Sequence, residues 1–190
     1  MLVEVRGKAF PLNKMNAEVV LTMKVKIKRL KEDRADLFFD LMATIYSDSD
    51  YMLIEPNEVQ QGKTKIKEMV INLLKQANST ILVAELNGFL VGFVLAKGGE
   101  YNRNHHCAYL VIGIRKDYQG RGIGKQLLEA IDVWAQKTNI TRLELTVAQD
   151  NQPARVLYEK SGYVEDGMRK KSLYISGYYK DEIYMSKIFT

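Results

Sequence analysis

The segment from Tyr109 to Trp134 constrains this chain more than any other. It opens with a β-type apolar run, Tyr109-Leu110-Val111-Ile112-Gly113-Ile114, and turns through a basic, glycine-rich stretch from Arg115 to Gly124. It then carries Ile123, Leu127, Leu128, Ile131, Trp134 and Ala135 at helical spacing. Strand, turn and helix in immediate succession predict an α/β fold. Such a turn presents unpaired backbone N–H groups at the positive end of a helix dipole, and Gly120, Gly122 and Gly124 leave no Cβ in the way of an anion. The segment is expected to bind a phosphate or pyrophosphate. Glycines that open a helix otherwise weaken it, so a simple chain reversal accounts for them poorly.

Spacing narrows the kind of anion site. A Walker loop needs glycine where this chain has Gln119, and Ser or Thr where it has Gln126. The dinucleotide fingerprint needs glycine or alanine where Leu127 follows Gly122-Ile123-Gly124. What remains is Gln119-Gly120-Arg121-Gly122-Ile123-Gly124, which resembles the Gln/Arg-x-x-Gly-x-Gly/Ala signature of the GNAT N-acetyltransferase superfamily and stands between a strand and a helix, as that signature requires.

A second stretch supports the resemblance. Asn151-Gln152-Pro153-Ala154-Arg155-Val156-Leu157-Tyr158-Glu159-Lys160-Ser161-Gly162-Tyr163 is similar to the superfamily segment Asn-x-x-Ala-x-x-Leu-Tyr-x-x-x-Gly-Phe, with Tyr163 in place of the usual Phe. Asn151 suits a helix N-cap, Pro153 the first turn and Gly162 a left-handed C-terminal cap. Gly167-Met168-Arg169, with Gly177, Tyr179, Asp181 and Met185, resembles a bacterial subgroup of small-molecule and peptide N-acetyltransferases. The resemblance extends over residues 22–190.

It implies a mixed, twisted α/β sheet of about seven strands flanked by about four helices. It also implies an acetyltransferase that uses acetyl-CoA as co-substrate, needs no metal, and transfers the acetyl group by direct attack of an amine in a ternary complex. Gln119, Gly120, Arg121, Gly122, Ile123, Gly124 and Lys125 would hold the pyrophosphate. A split in the sheet near Gly113 would take the pantetheine arm, with the backbone N–H groups of Ile112 and Ile114 polarising the thioester carbonyl and Asn151 and Ala154 beside it. Tyr158 would protonate the departing thiolate. A homodimer is the assembly the resemblance implies. The acceptor stays open among polyamines, amino acids, antibiotic amines, protein N-termini and lysine side chains, and the rival to an enzyme is a non-catalytic acyl-CoA binding or regulatory module.

An amine attacks only as its free base, so a base or water relay is needed. Histidine titrates near neutrality, which brings His105 and His106 into consideration, with Glu55 and Glu58 from the polar stretch Tyr46 to Gly62 on the acceptor side. His106 and Glu55 are the candidates taken forward. Cys107 is read as a small core residue of a strand rather than a nucleophile.

Elsewhere, Met23 to Leu30 alternates as an edge strand, while Asp33 to Ile45 and Lys63 to Gln76 carry apolar residues at helical spacing. Thr80 to Glu85 and Phe89 to Ala96 read as strands joined at Asn87-Gly88, a hairpin dipeptide. Residues 1–21 show no clear periodicity, precede candidate starts at Met15 and Met23, and read as an extension. The longest apolar stretch is too short to span a bilayer and no secretory leader is apparent, which, with one cysteine, predicts a cytoplasmic protein without membrane contact. A net charge of +5 is mild and its residues are scattered, so no nucleic-acid partner is expected.

Overall fold

The computed structural model describes residues 2–5, 8–11 and 25–190. Leu2–Val5 (β1) and Lys8–Pro11 (β2) pair as a separate two-stranded antiparallel ribbon, although this part of the sequence shows no strand periodicity. The boundary expected near residue 22 and the candidate starts Met15 and Met23 lie outside the described residues.

Among the described residues the main sheet has seven strands. They are β3 (Lys26–Arg29), β4 (Thr80–Leu86), β5 (Phe89–Gly98), β6 (Cys107–Ile114), β7 (Arg142–Ala148), β8 (Val164–Ile175) and β9 (Tyr178–Ile188). The order across the sheet is β3-β4-β5-β6-β7-β9-β8, and every neighbouring pair is antiparallel except β6 and β7. Asn87 and Gly88 both take positive φ, 50° and 85°, as the tight turn between β4 and β5 demands.

Helices cover both faces, which is why β4 and β5 are apolar almost without interruption. On one face α1 (Ala35–Ser47), α2 (Pro56–Gln61) and α3 (Lys63–Lys75) bury Phe38, Phe39, Ile45, Val59, Val70 and Leu73 against Ile81, Val83, Phe93 and Leu95. On the other, α4 (Ile123–Lys137) and α5 (Gln152–Lys160) enclose Leu127, Leu128, Ile131 and Tyr158 with Leu110, Leu145, Val147 and Ile183. Among the described residues there are thus five α-helices rather than the expected four. The extra one is α2, within the stretch read as loop. Pro56 stands in its first turn, Glu55 and Glu58 form a reciprocal capping box, and the fully buried Val59 pins it to the core.

Candidate active site

Strands β6 and β7 run parallel only over Cys107, Ala108 and Tyr109, opposite Arg142, Leu143 and Glu144. Beyond that point they part, while β6 keeps its register with β5 through to Gly92 opposite Ile114. The sheet therefore opens on the β7 side of the strand. The irregularity expected at Gly113 is not a break in register: a Cβ there would stand 2.9 Å from both Ile45 Cγ2 and Phe93 Cε1 and 3.2 Å from Met52 Cε, so this glycine lets α1 and the following loop press onto the strand. The Arg115 amide donates to the Val91 carbonyl at 3.0 Å. By the two-residue alternation of a strand, the amides of Gly113 and Val111 also face β5, and those of Leu110, Ile112 and Ile114 face the β7 side, where the pairing of Tyr109 with Glu144 takes up Leu110 and leaves Ile112 and Ile114 facing the gap. The unpaired edge from Val111 to Ile114 is about 10 Å long, at about 3.3 Å per residue. It offers an extended ligand the backbone partners that a neighbouring strand would use.

The gap leads to the glycine-rich turn. Gly120 and Gly122 adopt φ of 70° and 74°, where a side chain is strained, and a Cβ on either would have nothing within 4 Å. Gly122 is the N-cap of α4, and the first helical bond in this turn runs from the Gln126 amide to the Gly122 carbonyl at 3.2 Å. The amides of Ile123, Gly124 and Lys125 are left for an anion at the positive helix end. Gln119 folds back on β6 through Nε2, which donates to the Ile114 carbonyl at 3.1 Å. The guanidinium groups of Arg115 and Arg121 lie over the Tyr118 ring, 5.7 and 5.2 Å from its centroid. Tyr118 was not singled out by sequence; a tyrosine in a turn carries no signal until the chain folds around it. Gly124 is corrected: it is buried, and a Cβ on it would meet Leu157 Cδ2 at 2.8 Å. Its lack of a side chain serves the close approach of α4 and α5, and only its backbone amide is left for an anion. Ile123 is buried as well, so only its backbone is presented.

That approach brings α5 under the gap. The Asn151 side chain caps the helix by accepting from the Ala154 amide at 3.3 Å, and Gly162 ends it with φ of 87°. Tyr158 is buried on the α4/α5 face, its ring 6.0 Å from that of Tyr163. Burial drives its phenol well above the usual range, and the nearby Tyr109 phenol adds to the effect. Tyr109 itself lies on the opposite face, where its hydroxyl is 2.6 Å from Thr146 Oγ1 on β7. The pair spans the gap just beyond the last β6–β7 register position.

Of the two sequence candidates for the base, His106 lies at the other end of β6 and Glu55 is taken up by a helix cap. His106 is exposed at the start of β6, and its carbonyl accepts from the Thr141 and Arg142 amides. Six residues of strand, about 20 Å, separate it from Ile112. Glu55 is exposed and engaged as a helix cap, its amide donating to Glu58 Oε2 at 2.8 Å. The Cys107 thiol is pushed up by burial, with Glu144 reinforcing the shift and Arg142 opposing it, so little thiolate forms at neutral pH.

The sequence model of the acetyltransferase (GNAT) family matches residues 39–163, a span from α1 through α5 that includes the split and the turn. The chain belongs to the acetyltransferase (GNAT) family. Among GNAT relatives, the L-amino acid N-acetyltransferase AaaT of Escherichia coli (strain K12) is 32% identical over 111 residues, 56% of this chain and 67% of that enzyme. The spermidine N(1)-acetyltransferase of Vibrio cholerae is 35% identical over 83 residues, 43% of this chain and 48% of that enzyme, so the chain spans about half of this relative's length. The structure of a GNAT acetyltransferase from Streptococcus pneumoniae superimposes with a TM-score of 0.82 at 28% identity, covering 87% of this chain and 100% of that one. The fold is shared further with yncA from Salmonella typhimurium, solved with its cofactor acetyl-CoA, at a TM-score of 0.75 and 12% identity over 88% of this chain and 95% of that one. The family places the chain among acetyltransferases.

Proposed function

We propose that this protein transfers the acetyl group of acetyl-CoA to a primary amine by direct attack in a ternary complex. One observation carries the reading: the edge of β6 left unpaired beyond the β7 contact runs directly into the glycine-rich turn, whose amides at the start of α4 are also unpaired. A phosphate-bearing thioester with a long amide arm matches that path in charge and hydrogen-bonding pattern.

The roles follow from the positions. The amides of Ile123, Gly124 and Lys125 bind the pyrophosphate, with Gln119 bracing the turn and Gly120 and Gly122 keeping it open. Arg121 and Lys125 neutralise phosphate charge; Lys125 is held only loosely by Glu129, at 3.7 Å. The Ile112 and Ile114 amides orient the arm and polarise the thioester carbonyl, a donor of this kind being worth about 3–4 kcal/mol of barrier. The amine nitrogen forms its bond to the carbonyl carbon as the carbon–sulfur bond breaks, and the proton lost by nitrogen is balanced by one gained by sulfur. Tyr158 is the proton donor to sulfur. Burial keeps it protonated at neutral pH, and the same burial raises the basicity of a thiolate formed beside it, so the match between the two survives the shift. With its thiol driven up, Cys107 is a poor nucleophile, which favours direct transfer. The homodimer implied by the resemblance belongs to the same proposal.

The test is thiol release from acetyl-CoA against a panel of amines, beginning with L-amino acids and spermidine because two relatives bear those names. Turnover with one class of amine is expected. It should vanish in Gly122→Trp, which blocks the turn, and kcat should fall by about 10² in Tyr158→Phe. Binding of CoA without turnover across the panel would favour a non-catalytic acyl-CoA sensor, and an unchanged kcat in Tyr158→Phe would remove the acid role.

A further inference from the structure

Two hydroxyls, Tyr109 on β6 and Thr146 on β7, meet at 2.6 Å across the gap. Strand parity sets their face: Leu110 packs with the α4/α5 core and Val111 with the α1/α3 core, so Tyr109 belongs with Val111. On β7, Leu143, Leu145 and Val147 all enter the α4/α5 core, which leaves Arg142, Glu144 and Thr146 on the other side. Tyr158 therefore lies in the core on one face of the sheet and the hydroxyl pair on the opposite one.

We propose that Tyr109 and Thr146 position the acceptor amine. The inference rests on the acetyltransferase reading above and adds to it a place for the nitrogen. One hydroxyl spends its proton on the other, and both oxygens keep lone pairs, so the pair accepts a hydrogen bond from an amine N–H and turns the nitrogen lone pair toward the gap. Being uncharged, it holds the reactive free base without favouring the ammonium form, as a carboxylate would. The neighbouring carboxylate on this face, Glu144, is engaged by Arg142 Nε at 2.8 Å, and Arg142 also holds Asp166 at 2.6 Å. Glu144 is thus occupied while the hydroxyls face the gap. The two faces of the sheet then carry different tasks: the amine is presented from the α1/α3 side, and the sulfur is served by Tyr158 from the α4/α5 side. Sequence alone does not reveal the pair, since its members are 37 residues apart.

The test compares Tyr109→Phe, Thr146→Val, Thr146→Ser and the Tyr109→Phe/Thr146→Val double variant by steady-state kinetics in both substrates, with thermal melting of each. Tyr109→Phe and Thr146→Val should each lower kcat/KM for the amine by about tenfold or more, with KM for acetyl-CoA within about twofold of the wild type. Thr146→Ser should retain most of the wild-type value, and the double variant should be little worse than the worse single one, because the two groups act as a unit. The positioning role is overturned if kcat/KM for the amine is unchanged in both single variants, if KM for acetyl-CoA rises in parallel, or if Thr146→Ser is as impaired as Thr146→Val. Absence of turnover in the wild-type protein would overturn both the inference and the reading it rests on; the failures above would overturn the inference alone.

Discussion

Gly122 and Gly124 stand two positions apart in one motif, yet they are glycines for different reasons. At Gly122 the backbone is left-handed, φ 74°, with open space where a Cβ would point. At Gly124 the backbone is helical and the obstacle is Leu157. Gly122→Ala should cost about 1–2 kcal/mol in backbone strain, with no neighbour whose trimming relieves it. Gly124→Ala should cost about 1–3 kcal/mol by overpacking, and Leu157→Val in the same chain should return part of that loss. Urea unfolding of the two single variants and the two Leu157→Val doubles separates the cases; equal relief at both positions would show that the motif's glycines share one role. Isothermal titration with CoA on the same proteins should show the larger loss of affinity in Gly122→Ala, whose amide environment is the anion site itself.

Among the elements, β3 is the short outer strand and depends on its partners. Glu85 on β4 accepts from Lys28 of β3 and, at 2.6 Å, from Arg34 in the short 3-10 turn Glu32–Arg34 ahead of α1. Lys28 and then Arg34 hold the Glu85 carboxyl below its usual range, against the opposing effect of burial. A depressed carboxylate adds stability that is present above its unfolded value, about 4.3, and is lost as pH falls through the folded one. Glu85→Gln should therefore be less stable than the wild type near neutrality by about 1 kcal/mol, a modest figure because Lys28 is half exposed. The two melting curves should converge as pH is lowered from about 5 toward 3. A constant gap across that range would mean that the ion triad adds nothing to the folded edge. The other end of the sheet is tied differently: Lys187 of β9 donates to Asp132 of α4 at 2.6 Å and to the Ser161 carbonyl after α5 at 2.7 Å. One side chain thereby couples the helix that carries the turn to the helix that carries Tyr158.

At the scale of the whole molecule the two sheet edges are unlike. β3 has four residues and presents Lys26 and Lys28, whereas β8 has twelve and leaves Val164 and Met168 exposed at 61% and 44%. Charge and shortness protect the first edge; the second is a long surface suited to a second copy. Sedimentation equilibrium should give twice the chain mass of 21.8 kDa for the wild type. Val164→Glu/Met168→Asp should return it to the single mass, and a wild-type monomer would overturn the homodimer. Much of the rest was legible in the residues themselves, because it depends on short-range order. The β6 run, the Asn87-Gly88 turn, the apolar face of α4 and the Asn151 cap are decided within a few positions, by periodicity, positive φ and local hydrogen bonds. Short-range order also explains what misled: the polar surroundings of Pro56 hid α2, whose only buried side chain is Val59, and His106 beside β6 looked near the chemistry although a strand carries it to the far end. Tertiary structure alone decided where β6 and β7 part, that Gly124 answers to Leu157, and that Tyr109 meets Thr146. Each depends on atoms brought together by packing across the sheet, and local sequence has no term for a distance between strands.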